Sequence, residues 1–160
     1  MPILPILHWP DPRLSAVCDP VGQVTAAVRT LAADMLETMY DAPGRGLAAP
    51  QVGVMLRLFV MDVNWKDGPR NPVVLIDPEV RWLSDQRVVG PEGCLSIPGV
   101  VAEVARAAAL RLRWTGLDGL QVEALLEGFA AVCAQHELDH LDGIVTLDRL
   151  SPEARAGVPA

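Results

Sequence analysis

Two histidines and a glutamate, in His136-Glu137-Leu138-Asp139-His140, are the residues of this 160-residue chain whose type and spacing most clearly promise chemistry. Histidines four residues apart on a helix lie one above the other, within reach of a single metal ion. The glutamate beside them can take a proton from a water that such an ion acidifies. With three histidines in the whole chain, this arrangement is improbable by chance, and a helix rarely buries two imidazoles and a carboxylate without a shared partner. A catalytic metal wants a third protein ligand and an open position. Cys133 shares the helix face, but about 10 Å of helix rise separates it from His140. The third ligand is expected from elsewhere, and Cys94 is the better candidate. It lies in Pro91-Glu92-Gly93-Cys94-Leu95-Ser96-Ile97-Pro98-Gly99, where glycines permit close backbone approach. Cys18 has no polar companions and reads as a small buried apolar residue.

A third segment, Gly44-Arg45-Gly46-Leu47-Ala48-Ala49-Pro50-Gln51, reads as a glycine-rich loop. It lacks a Lys-Ser/Thr ending and does not connect a strand to a helix, so it is not a phosphate-binding loop. Its apolar run ends in one amide, Gln51, a weak signal alone.

The elements that must carry these segments can be read from periodicity. Val24, Val28, Leu31, Met35 and Met39 form one apolar stripe, predicting a helix from Thr25, a fair N-cap, to about Asp41, with Pro43-Gly44 ending it. Residues 57–63, 73–83, 100–104 and 109–114 read as strands, with a hairpin at Leu117-Asp118-Gly119-Leu120 and a returning strand over 121–126. A second helix is predicted from Glu127 to Leu141, ended near Gly143. Strands grouped between two helices favour an α+β class: mainly antiparallel strands packed around the helix in the C-terminal half that bears the two histidines, with a second, N-terminal helix. A single domain spanning residues 1–160 is expected, with 1–23 as an extended arm and 152–160 as a loosely ordered tail.

Composition limits the partners. The chain is 51% hydrophobic and 21% charged, which excludes disorder. Mean hydropathy is +0.27, yet every apolar run stops well short of the about 18 residues of a membrane helix. The start lacks the pattern of a secretory signal, and three cysteines cannot all pair, so a soluble, cytoplasmic protein without a disulfide framework is expected. The net charge is −7, with Lys66 the only lysine among 13 basic residues. That balance, and four scattered tryptophans, argue against nucleic-acid binding.

Taken together and in this order, the segments 44–51, Glu92-Gly93-Cys94-Leu95-Ser96 and Gln135-His136-Glu137-Leu138-Asp139-His140 resemble the three signature motifs of the peptide deformylase family. Pro10-Asp11-Pro12-Arg13-Leu14 resembles that family's N-terminal arm and Asp148-Arg149-Leu150-Ser151 its closing segment, so the resemblance covers nearly the whole chain. It implies a hydrolase that removes the formyl group from the N-terminal formylmethionine of nascent chains. It implies Cys94, His136 and His140 as metal ligands, Glu137 as general acid/base, and Gln51 with the backbone N–H of Leu95 as the oxyanion site. It further implies peptide pairing around Arg45, Gly46 and Gly93, and a methionine pocket lined by Phe129, Val132 and Cys133. One divalent ion is implied, Fe²⁺ from the family, with Zn²⁺ or another divalent ion also suited to sulfur and imidazole. The remaining expectations are a monomer and a transient contact with the ribosome.

The chain departs from well-known members in places. Arg45 fills the variable slot between the two motif glycines, and Val101 stands where some members carry an arginine that steers the peptide. Glu92 and Arg106 match a charge pair that steadies the second motif. Competing readings are a general zinc peptidase, which leaves the other two motifs as coincidences, and a divergent member that binds metal or nascent peptide without turnover.

Overall fold

The structure, a computed structural model, describes residues 3–157. Helix α1 spans Ala26–Asp41, and the Thr25 side chain caps it by accepting from the Val28 N–H at 3.3 Å. Its apolar stripe buries Val28, Met35 and Met39, each worth roughly 1.5–3 kcal/mol of transfer out of water.

Seven strands follow. β1 is Gly46–Ala48, β2 Leu58–Met61, β3 Val73–Leu83, β4 Arg87–Cys94, β5 Ile97–Ala107, β6 Ala109–Thr115 and β7 Gln121–Glu127. Five form an antiparallel sheet in the order β1-β2-β3-β6-β7, and β4 and β5 form a separate antiparallel pair. Helix α2, Gly128–Leu141, lies against one face of the large sheet. Strand alternation shows why. In β2, Phe59 and Met61 join the core around Ala131, Ala134, Leu138 and Leu141 of α2, while Leu58 and Val60 join Met35 and Met39 of α1 on the other face. β2 is thus apolar at every position because it is covered on both sides.

The fold class stands as read: α+β, antiparallel, with the two histidines on the second helix. Several boundaries differ. The segment 44–51 is no free loop: it contains β1, followed by a 3₁₀ turn over Ala49–Val52. β4 was not foreseen, and β5 runs well beyond 100–104. Gly90, Pro91 and Gly93 suppress strand propensity, but β4 is an edge strand, where a proline is tolerated. The strand read over 57–63 is shorter, and Glu127 is the cap of α2 rather than its first turn. The tail begins as a one-turn helix, α3 (Pro152–Ala156), capped by Ser151, instead of loose chain; the expectation for 158–160 falls outside the described residues, as do 1–2 of the arm.

From Ile3 to Asp11 the arm forms no regular element. It nonetheless ties the site segments together, because Leu7 N–H donates to Gln51 O at 2.7 Å and Trp9 N–H to Ser96 O at 2.8 Å. Cys18 is buried, and its N–H donates to Leu141 O at 2.9 Å, closing the end of α2. There Gly143 turns the chain at φ +74°, and a Cβ on it would stand 2.8 Å from the Ser15 carbonyl.

Candidate active site

Helix α2 carries His136, Glu137 and His140 on the turns that face β1 and the β4–β5 turn. The register shift at Gly93/Cys94 ends β4 and delivers Cys94 to them. Cys94 Sγ and one nitrogen of each histidine lie within 4.8 Å of one another. Sγ is 3.4 Å from His140 Nε2. A tetrahedral ion with bonds of about 2.1–2.3 Å separates its ligands by about 3.5 Å, so the trio fits one divalent cation. Two imidazoles and a thiolate suit iron or zinc, and they leave a coordination position for a reactant. Glu137 Oε1 and His140 Nδ1 are buried without a hydrogen-bond partner among the described residues, which marks a place for polar company.

Behind Cys94, His136 and His140 lies a buried ionic chain. His136 Nδ1 is 3.0 Å from Glu92 Oε1. A carboxylate only accepts, so Nδ1 carries the proton and Nε2 keeps its lone pair for a metal. Arg106 grips Glu92 with Nε and Nη2 at 2.9 and 2.8 Å and reaches Asp139 with Nη1 at 2.6 Å. Arg149 then holds Asp139 at 3.0 and 2.7 Å. Two guanidinium groups and two carboxylates alternate, so the chain of charges is neutral before His136 is counted.

The surroundings tune the titrating groups. Burial pushes the Glu137 carboxyl up to about 7, against the opposing pull of His136. Burial also lowers His140 well below an ordinary imidazole, with the positive charge of His136 and Arg106 adding to it, so its ring is neutral. Burial disfavours a charged His136 too, but Glu137, Cys94 and Glu92 outweigh it and raise that group. The carboxylates of Glu137 and Glu92, which favour a second proton there, favour a cation as well. Cys133 is pushed well above its usual value by burial and by Glu137. It stays a thiol, directed at Arg45 O at 3.7 Å.

Gln51 is buried and held in one orientation: Ala48 N–H donates to its Oε1 at 2.9 Å, and its Nε2 donates to Ser96 Oγ at 3.0 Å, with Cys94 Sγ 3.7 Å away. Its amide donors therefore face the sulfur. β1 passes directly over Glu137, where a Cβ on Gly46 would come within 2.6 Å of Oε2 and 2.9 Å of Cys133 Sγ. Only glycine permits that approach.

A cavity of about 520 Å³ opens over these groups. It collects nearly all the residues singled out in the sequence: Arg45, Gly46, Gln51, Gly93, Cys94, Leu95, Phe129, Val132, Cys133, His136 and Glu137 all line it, with His140 buried beneath. β1 and β4 pair on one side only, and residues of both border this space. Cys18 and the exposed His8 lie apart from it. Ser96, Asp139 and Arg149 were not singled out as site residues. Each lies inside or next to a quoted segment, yet only the tertiary contact reveals its work. Among the described residues, no helix is long and apolar enough to cross a membrane.

Comparison with known proteins gives a consistent picture. The family model for polypeptide deformylase matches residues 3–156. The chain is 53% identical over 151 residues to a peptide deformylase of Alkalilimnicola ehrlichii, covering 94% of this chain and 84% of that one. It is 50% identical over 151 residues to one of Afipia carboxidovorans, covering 94% and 88%. The crystal structure of a peptide deformylase from Ehrlichia chaffeensis in complex with actinonin superposes with a TM-score of 0.92 at 37% identity, covering 98% of this chain and 93% of that one.

Proposed function

The chain belongs to the polypeptide deformylase family, and from that premise we propose how its residues carry out the reaction. It is a metal-dependent hydrolase that removes the N-formyl group of formylmethionyl peptides as formate. Cys94, His136 and His140 hold one divalent ion. When bound, the ion polarises the formyl oxygen and acidifies water. Glu137 accepts a proton from the attacking water and passes it to the departing amine as the C–N bond breaks, a task suited to a group near neutrality. The Gln51 amide and the Leu95 N–H receive the charge that develops on the formyl oxygen, at roughly 3–4 kcal/mol per donor by analogy with other oxyanion sites. Gly46 and Gly93 offer unpaired strand edges to the peptide backbone, a mode of binding that reads main chain rather than sequence. Phe129, Val132 and Cys133 receive the methionine side chain.

One observation carries this reading. A sulfur and two imidazoles converge within 4.8 Å beside a buried glutamate oxygen that has no partner among the described residues. Fe²⁺ is the proposed native ion, with Zn²⁺ or another divalent ion as substitute, and the proposed setting is one monomeric domain in the cytoplasm that meets nascent chains in transient contact with the ribosome. The test is formate release from a formyl-Met tripeptide by protein purified without oxygen, with metal measured on the same sample. Turnover that tracks metal content is expected. Folded, metal-loaded protein that binds the peptide but releases no formate establishes the non-catalytic reading instead.

A further inference from the structure

The carboxylates that line the cavity are inside it: Glu92 is committed to Arg106 and His136, and Glu137 is buried. The other charged side chains lining it are both cations, Arg45 and Lys66, in a chain whose net charge is −7. Arg45 is fixed. Its Nη1 donates to Val63 O at 3.0 Å, and its guanidinium sits 5.3 Å from the centre of the Phe129 ring. Its nearest ion-pair partner, Asp67, is 3.9 Å away and 80% exposed, so water screens that pair and leaves most of the positive field in place. Lys66 lies 5.8 Å over Trp65, whose indole N–H donates to Gly44 O at 2.9 Å. Two aromatic rings therefore stand beside two cations near the start of β1 at Gly46. On the β5 side of the cavity, Val101 is 71% exposed and uncharged.

We propose that Arg45 and Lys66 make this enzyme discriminate among formylated peptides by charge, favouring acidic side chains at the second and third positions over basic ones. The proposal rests on the deformylase reading and specifies its substrate class. Its geometry follows from strand addition. In an extended peptide the third side chain returns to the side occupied by the first. The first enters the pocket walled by Phe129, and Arg45 stacks on that ring, so the third position feels Arg45 most. Main-chain pairing alone supplies no such preference.

The experiment compares amidated formyl-Met-Ala-Asp and formyl-Met-Ala-Lys at low salt, with the equivalent pair substituted at position two. Exposed charge pairs of this kind support a kcat/KM preference for Asp over Lys of about fivefold at position three, falling toward one in about 0.5 M salt as screening shortens. The preference should fall toward one in Arg45→Gln with Lys66→Gln and persist in Arg45→Lys, which keeps the charge. Affinities of the same peptides for Glu137→Gln protein, measured by calorimetry, should show the same order. A ratio near one in the native protein at low salt, or a native ratio that survives the double substitution, overturns the proposal. Charge-ordered binding without any formate release retires the deformylase reading and keeps the cationic rim, whereas turnover indifferent to charge does the reverse.

Discussion

Arg106→Met tests whether the buried ionic chain behind Cys94, His136 and His140 supports the proposed metal site. Arg106 is 4% exposed and contacts two carboxylates whose side chains are 6% and 12% exposed. Methionine keeps much of its volume and removes its charge. Glu92 then retains one polar partner, His136 Nδ1 at 3.0 Å, while Asp139 keeps both bonds from Arg149. Removing one partner of a buried ion pair costs about 3–5 kcal/mol, and the surviving Arg149 contacts place this case at the lower end, about 3 kcal/mol. For a chain of this size, 1 kcal/mol moves Tm by about 2–4 °C, so a fall of about 6–12 °C is expected in thermal denaturation followed by circular dichroism.

A second consequence separates support of the site from mere stability. Burial raises the Glu92 pKa, and Arg106 together with His136 brings it below an ordinary carboxylate. Without Arg106, burial regains its influence and the carboxylate that orients His136 is weakened. Loss of such an outer partner lowers metal affinity by about 10–100-fold, measurable by competition with a chelator. The double variant Arg106→Met/Glu92→Gln removes both charges and should be more stable than Arg106→Met alone, because the main cost is the orphaned carboxylate. An Arg106→Met protein within about 1 kcal/mol of native with unaltered metal affinity, or a double variant no better than the single, refutes this account of the network.

Three further outcomes follow from the site. Glu137→Gln should retain metal and lose turnover by about 10²–10⁴-fold or more in the formate assay, since the amide cannot shuttle a proton; unaltered turnover would remove Glu137 from its proposed role. Cys94→Ser should lose bound metal on elemental analysis, whereas Cys18→Ser, buried away from the cavity, should retain it; the opposite pattern overturns the choice of sulfur ligand. Gly46→Ala forces a methyl group to within 2.6 Å of Glu137 Oε2 and should cut kcat/KM by about 10²-fold, as an ångström-scale displacement does, with far-UV circular dichroism preserved.

The parts of the site that lie within one helix were legible because helical spacing is a local rule: His136 and His140 share a face whatever surrounds them. The large sheet was legible where alternation was undisturbed, as in β6, whose Leu110, Leu112 and Trp114 turn inward while Arg111 and Arg113 do not. β4 escaped because its glycines and proline contradict strand propensity, and what overrides them is pairing with β5, a contact made only after the chain folds back. The same is true of function. Gln51 looked weak because its meaning depends on Ser96, and Ser96 acquires its place from the arm through Trp9. Arg149 reaches His136 only through Asp139, Arg106 and Glu92 in turn. Residues that would touch a bound ion directly leave a spacing in the sequence, whereas residues that act through another side chain leave none. The glycines obey a third rule. Gly46 is required by Glu137, a residue far along the chain, and the clash that forbids a methyl group there exists only once β1 has been laid across α2.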